Sequence, residues 1–220
     1  MKKTFILLSL ALVSFLYFSD ISYAQDQKNV AVAEDGSRPP AGKPLEESTV
    51  SGRPRLALGF TLDLLPTALS AAAGRFGMSG QTWLGIEHVR LRLVGGQMYM
   101  PQFLIGGDGF KNHKNTVGAF IVDYVFGEHF DGWWVGTGFE LWMNEIGNRH
   151  APDQKARWDN LVWTLGGGYI WRAVDNFYIE PWAAIHVPMN NRNISLAGRE
   201  FKPMPVSGEV SLKIGYFFDL

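Results

Sequence analysis

Residues 133–144 read WWVGTGFELWMN, and their side chains divide into two rows. Trp133, Val135, Thr137, Phe139, Leu141 and Met143 make a nearly all-apolar row, while Trp134, Gly136, Gly138, Glu140, Trp142 and Asn144 mix glycine with polar groups. Successive side chains of a strand point to opposite faces, so this period of two predicts a strand with one apolar and one mixed face. Working outward, the division recurs. In 161–172, Leu161, Trp163, Leu165, Gly167, Tyr169 and Trp171 oppose Val162, Thr164, Gly166, Gly168, Ile170 and Arg172. In 55–64, Leu56, Leu58, Phe60, Leu62 and Leu64 oppose Arg55, Ala57, Gly59, Thr61 and Asp63. At the end of the chain, Val210, Leu212, Ile214, Tyr216, Phe218 and Leu220 oppose Glu209, Ser211, Lys213, Gly215, Phe217 and Asp219.

Such alternation also suits a half-buried antiparallel sheet in a soluble protein. What separates the two is the company the glycines keep. A soluble ligand-carrying barrel needs its large apolar face inside and scatters its charges outside. Here glycines and charges share one face, as they must in a narrow lumen whose apolar outer wall meets lipid. No run of 18 uncharged apolar residues occurs in 53–220, so a transmembrane helix is excluded there. The expected fold is all-β: a transmembrane antiparallel up-and-down β-barrel. Eight strands are expected at about 53–65, 82–94, 97–106, 115–127, 132–145, 159–172, 176–188 and 207–220, the third interrupted by Pro101. Gly95-Gly96, 128–131 and 173–175 read as short turns, and 66–81, 107–114, 146–158 and 189–206 as long loops. Short periplasmic turns and longer external loops are the barrel pattern.

The first 24 residues read as a secretory signal peptide: Lys2-Lys3, an apolar run from Phe5 to Phe18, and Ser22-Tyr23-Ala24 before Gln25. Residues 25–52 hold three prolines and no aromatic residue, and read as a disordered periplasmic arm before the barrel of 53–220. The 220 residues carry 20 Lys+Arg against 21 Asp+Glu, a formal charge of −1, which supplies no electrostatic footprint for nucleic acid. Cysteine is absent, which excludes disulfides, thiolate metal sites, a Cys nucleophile and an N-terminal lipid-bearing Cys.

The last eight residues, KIGYFFDL, complete the picture. Lys213, Gly215, Phe218 and Leu220 resemble the C-terminal assembly signal of bacterial outer-membrane proteins, with Leu220 where that signal usually ends in Phe. Over 53–220 the chain resembles small eight-stranded outer-membrane barrels, and stretches such as FDGWWVGTGFELW, GGGYIWRAVDNFYIEPWAA and VSGEVSLKIGYFF are similar to an uncharacterised Bacteroidetes-type subgroup. The resemblance implies the cell outer membrane of a Gram-negative bacterium and insertion by the barrel-assembly machinery. It implies no known reaction.

Projected inward, the alternation gathers Arg55, Asp63, His88, Arg90, Arg92, Asp123, Glu140, Arg172, Glu180, His186, Glu209 and Lys213. Glu87 does not fit that face. The expected arrangement is a hydrogen-bonded ionic plug, since an eight-stranded barrel is only wide enough for its own side chains. Charge alone nominates Arg90, Arg92 or Arg172 as the partner of Glu140. A narrow conduction path is the first alternative and a lipid-modifying acyl hydrolase or transferase the second. The latter needs a nucleophile beside a histidine, for which His186 with Ser195 and His150 with Asp153 are the candidates. No G-x-S-x-G occurs, and no catalytic residue is assigned. His113, with Asp108 five residues before it, and His150 lack further ligands at metal spacing, so no metal or other cofactor is expected. Gly166-Gly167-Gly168 reads as room for bulky neighbours in the wall. Of Trp83, Trp133, Trp134, Trp142, Trp163, Trp171 and Trp182, most read as interfacial girdle. Two of the long loops carry Arg149, His150, Lys155, Arg157, Arg192, Arg199 and Lys202 against Asp153 and Glu200, a basic rim suited to lipopolysaccharide headgroups. A monomer is expected.

Overall fold

The computed structural model describes residues 55–105 and 109–220, so the expected signal peptide and arm lie outside the described residues. Its strands are β1 (Leu56–Asp63), β2 (Met78–Ile86), β3 (Val89–Tyr99), β4 (Phe110–Val125), β5 (Gly132–Asn148), β6 (Lys155–Val174), β7 (Phe177–Pro188), β8 (Ile194–Leu196), β9 (Arg199–Phe201) and β10 (Ser207–Asp219). Two helices, α1 (Leu64–Ala72) and α2 (Gln102–Ile105), lie between them. Strands β1 to β7 and β10 close into an antiparallel barrel in which β10 joins β7 to β1, and β8 and β9 form a separate hairpin. Closure leaves no sheet edge with unpaired backbone groups, the condition for spanning lipid.

The two faces of 133–144 stand as the alternation requires, with the odd positions exposed and Trp134, Gly136, Glu140 and Asn144 buried. One outward residue from each barrel strand, Phe60, Leu84, Leu93, Phe120, Phe139, Leu165, Ile185 and Leu212, is 38–59% exposed. They form a continuous apolar belt.

Strand placement departs from expectation in one region. The second expected strand, 82–94, contains a turn: Ile86 pairs with Val89, leaving Glu87 and His88 to reverse the chain. Glu87 takes a left-handed φ of 54°, which a glutamate rarely signals, and so escapes the strand's inside–outside pattern. Gly95 and Gly96, read as a turn, lie within β3 and pair with Gly80 and Ser79 on one side and Gly118 and Val117 on the other. The expected strand 97–106 stops at Tyr99, and α2 follows Pro101. Two errors offset each other, and the count of eight stands.

The expected long loops are shorter than the sequence suggests. Residues 66–81 hold α1 and the start of β2, while 111–114, 146–148 and 155–158 are strand. Helix α1 begins where Asp63 accepts a hydrogen bond from the Leu65 N–H at 3.2 Å, an N-cap that ends β1. The wall is therefore uneven. β1 has 8 residues and β6 has 20, which at about 3.4 Å per residue is a difference of roughly 40 Å in strand length. The surplus of β4, β5 and β6 projects at the end that carries the long connections.

Candidate functional site

The lumen is layered. Nearest the short turns it is aromatic. Trp83, Phe130, Tyr178 and Phe217 are all buried, with the Trp83 ring 5.3 Å from Phe130 and 5.7 Å from Phe217. Phe130 comes from the β4–β5 turn, where a φ of 54° folds it back into the barrel. The rings fit because glycines face them. A β-carbon at Gly59 would overlap the Trp83 ring, and one at Gly215 would overlap Tyr178. The Trp83 indole N–H donates to the Tyr178 hydroxyl at 2.8 Å, and that hydroxyl also bonds Thr61.

Above the rings lies an ionic layer. Arg90 donates through Nη1 and Nη2 to the two Glu180 oxygens (3.1 and 2.9 Å) and through Nε to Asp123 (2.7 Å), with all three side chains fully buried. Arg92 donates to Asp123 at 2.8 Å and to the Gln81 carbonyl at 3.0 Å. Trp134 lies against both guanidinium groups, at 5.1 Å from Arg90 and 4.9 Å from Arg92. Buried charges persist only when bonded at several points, and the fork geometry of arginine supplies those points. One level further, Glu140 accepts from Thr164 (2.7 Å) and Trp142 (2.6 Å), and His186 stands between Glu140 (3.3 Å) and Glu209 (3.2 Å).

Asp63, Arg90, Arg92, Asp123, Glu140, Glu180, His186, Glu209 and Lys213 thus share the lumen. Three residues expected there do not join them. Arg55 precedes β1, with its guanidinium on His129 and its N–H on Glu87. His88 sits in the β2–β3 turn and bonds the Val125 carbonyl at 2.9 Å. Arg172 bonds Asn176 at 2.7 Å at the rim, beside the β6–β7 bulge, and closes the aromatic layer from below with its guanidinium 5.0 Å from the Phe217 ring. Alternation assigns a face but not a depth, and these three lie at or past the barrel's short-turn end. Glu140 likewise meets none of the arginines nominated for it. His186 of β7 reaches it instead.

Further expectations change. Trp83, Trp134 and Trp182 are buried in the lumen and Trp142 also faces inward, leaving Trp133, Trp163 and Trp171 outside. The girdle therefore takes fewer tryptophans than expected, with Tyr124 and Tyr216 beside them on the outer face. Of the glycine run, Gly168 leaves space for the Trp134 indole, whereas Gly166 faces Ala183 and Ala184 and Gly167 faces backbone. The Lys155 and Arg157 side chains both bond Glu145 (2.8 and 2.7 Å), an acid outside the two loops compared, so the basic rim is weaker than its loop sequence implies. Arg149, Arg192 and Lys202 are exposed there, and Lys202 lies 3.6 Å from Glu200. In the assembly-signal stretch, Phe218 and Leu220 are exposed while Lys213 and Gly215 face inward.

Neither nucleophile candidate is assembled. Ser195 is exposed in β8 whereas His186 is 3% exposed inside the barrel. His150 and Asp153 are both exposed, with the His150 N–H donating to Asn148. The Thr164 hydroxyl, which the sequence does not single out, lies 3.0 Å from His186 Nδ1, and its proton goes to Glu140. His113 stacks on Trp158 and bonds Asn144 at 3.1 Å. Among the described residues no three His, Asp or Glu are grouped to hold a metal ion.

Above the Arg90 layer the lumen opens into a cavity of about 730 Å³. Its floor includes Arg92, Glu140, His186, Glu209 and Lys213, and its upper wall Met98, Met100, Phe110, Trp158 and Phe201. Three buried asparagines, Asn115, Asn144 and Asn160, stand between the two on β4, β5 and β6. None was singled out from sequence, although the alternation places each of them inward.

No family model matches the chain, and no curated protein matches its sequence. Among solved structures it is similar to the N-terminal β-barrel domain of OprF from Pseudomonas aeruginosa (12% identity, TM-score 0.46, 76% of this chain and 100% of that one). It is also similar to a major outer membrane protein from Thermus thermophilus (12% identity, TM-score 0.49, again 76% and 100%). By its own closed sheet, apolar belt and charged interior, the chain is an eight-stranded antiparallel barrel of the outer-membrane type.

Proposed function

We propose that this protein is a monomeric integral barrel of the bacterial outer membrane, sealed across its lumen, whose specific role resides at the long-loop end. The observation that carries the reading is the pairing of an apolar belt outside with the Arg90–Glu180–Asp123 layer inside. A soluble barrel would have to leave that belt in water, and an aqueous pore would have to wet that layer. The short turns face the periplasm and the long connections face outward, with the barrel-assembly machinery inserting the chain through its last strand.

Two measurements test this. A barrel in lipid migrates differently in cold and boiled SDS, and a sealed one gives no steady current in a planar bilayer. Identical migration with recovery from the soluble periplasm removes the membrane reading. Steady ion-selective steps from the unaltered protein remove the seal and favour a channel. The surface role proposed is contact with anionic lipopolysaccharide through Arg149, Lys155, Arg157, Arg192, Arg199 and Lys202. Replacing these six by serine then lowers co-purifying lipopolysaccharide, and unchanged retention removes that part.

A further inference from the structure

We propose that the cavity above the plug binds a single fatty acyl carboxylate, its head held at Lys213 and its chain running up the apolar wall toward the long connections. The inference goes beyond the sealed-barrel reading and rests on the barrel fold alone.

The size and lining come first. About 730 Å³ falls within the roughly 300–1,000 Å³ of small-molecule sites, which are mostly apolar with a few placed polar groups. The upper wall is of that kind, with Met98, Met100, Phe110, Trp158 and Phe201. Unbranched methionines accommodate a flexible chain well. Lys202 and Met204 border the cavity and are exposed, so it reaches the surface beside the 189–206 connection.

The polar groups then choose the head. Gln81 Nε2, Asn160 Nδ2 and the Trp182 indole N–H are buried donors without a hydrogen-bond partner, and all three residues line the cavity. An unmade hydrogen bond of this kind is costly, and an acceptor oxygen brought by a ligand satisfies it. The charges point the same way. Asp63 is held by the Leu65 N–H and the Ser211 hydroxyl, and Glu140 and Glu209 by His186. Lys213 is different. Its ammonium lies 3.7 Å from the Trp182 ring centre, and among the described residues no carboxylate oxygen comes within ion-pair distance of it. Its cross-strand neighbours Asp63 and Glu180 already serve other partners. A carboxylate head supplies the anion that Lys213 lacks, while its chain fills the wall that no polar ligand would favour.

The test uses the whole chain refolded from urea into phosphatidylcholine vesicles and titrated with laurate or with laurate methyl ester. Saturable binding of one laurate, with the ester about ten-fold weaker or worse, is expected. Lys213→Met lowers laurate affinity about ten-fold and leaves the ester unchanged. Val117→Trp, which fills the cavity from β4, abolishes saturable binding of both. Saturable binding that survives Val117→Trp puts the ligand on the outer wall and overturns the proposal. So does equal affinity for acid and ester. No saturable binding by a chain that still migrates differently on boiling overturns the proposal and leaves the membrane barrel standing. Should Lys213→Met fail to fold, the acid–ester comparison and Val117→Trp still decide.

Discussion

The two halves of this lumen are built from the same alternation and end in opposite states. In the short-turn half, Arg90, Asp123 and Glu180 are fully buried and bonded at several points, and indole, phenol and phenyl rings fill what remains. In the long-loop half, a cavity of about 730 Å³ sits beside amide and indole groups that lack partners. Both halves hold charges. The difference is in side-chain reach. Arg90 and Trp83 reach across to Glu180 and Tyr178 of β7, whereas the shorter Asn115, Val117 and Asn144 leave the space beside them open. The long-loop half can also stay open because its upper wall borrows a separate apolar cluster, where Ile105, Phe110, Ile146, Trp158 and Phe201 pack against Ile194 and Leu196 of the hairpin.

That contrast can be broken by mutation, and the largest effect belongs to the plug. Arg90→Met strands the buried Glu180 carboxylate and leaves Asp123 to Arg92 alone, which should cost roughly 3–5 kcal/mol, read as a fall in the urea unfolding midpoint of vesicle-bound protein. Trp83→Ala empties the aromatic layer and should cost about 3–5 kcal/mol by the same measurement, with the lower end favoured if Phe130 and Phe217 collapse inward. Glu140→Gln lies at the boundary. It keeps the volume and weakens contacts to Thr164, Trp142 and His186, so a loss of about 1.5–3 kcal/mol is expected, with bilayer conductance still absent. Asn115→Leu, in the open half, removes an amide whose oxygen has no partner and should fall within about 0.5 kcal/mol of the parent. If Asn115→Leu proved as damaging as Arg90→Met, the halves would not differ in the way described.

Much of this was readable along the chain, and the failures have a common cause. The faces of 133–144 and 207–219 stand as alternation placed them, because the period of two is a property of each strand alone. The split between β2 and β3 was misplaced because Gly95-Gly96 carries the usual turn residues, whereas the real turn uses Glu87 in a left-handed conformation. Arg172, His88 and Arg55 have the inward parity but lie at the barrel's end, and parity contains no height. Phe130 had no signal at all: a turn residue became part of the core by folding back between strands.

The sequence by itself determined that the chain is β, that one face of its strands is apolar, and that charges and glycines share the other. These follow from local side-chain direction and from what lipid and a narrow lumen each tolerate. Only the tertiary structure decided that Glu140 meets His186 rather than an arginine, that Trp83 turns inward, and that one end of the lumen is filled and the other hollow. Those outcomes depend on the stagger between strands distant in sequence. A slip of two residues keeps every side chain on its face while changing every partner, so the alternation is blind to it.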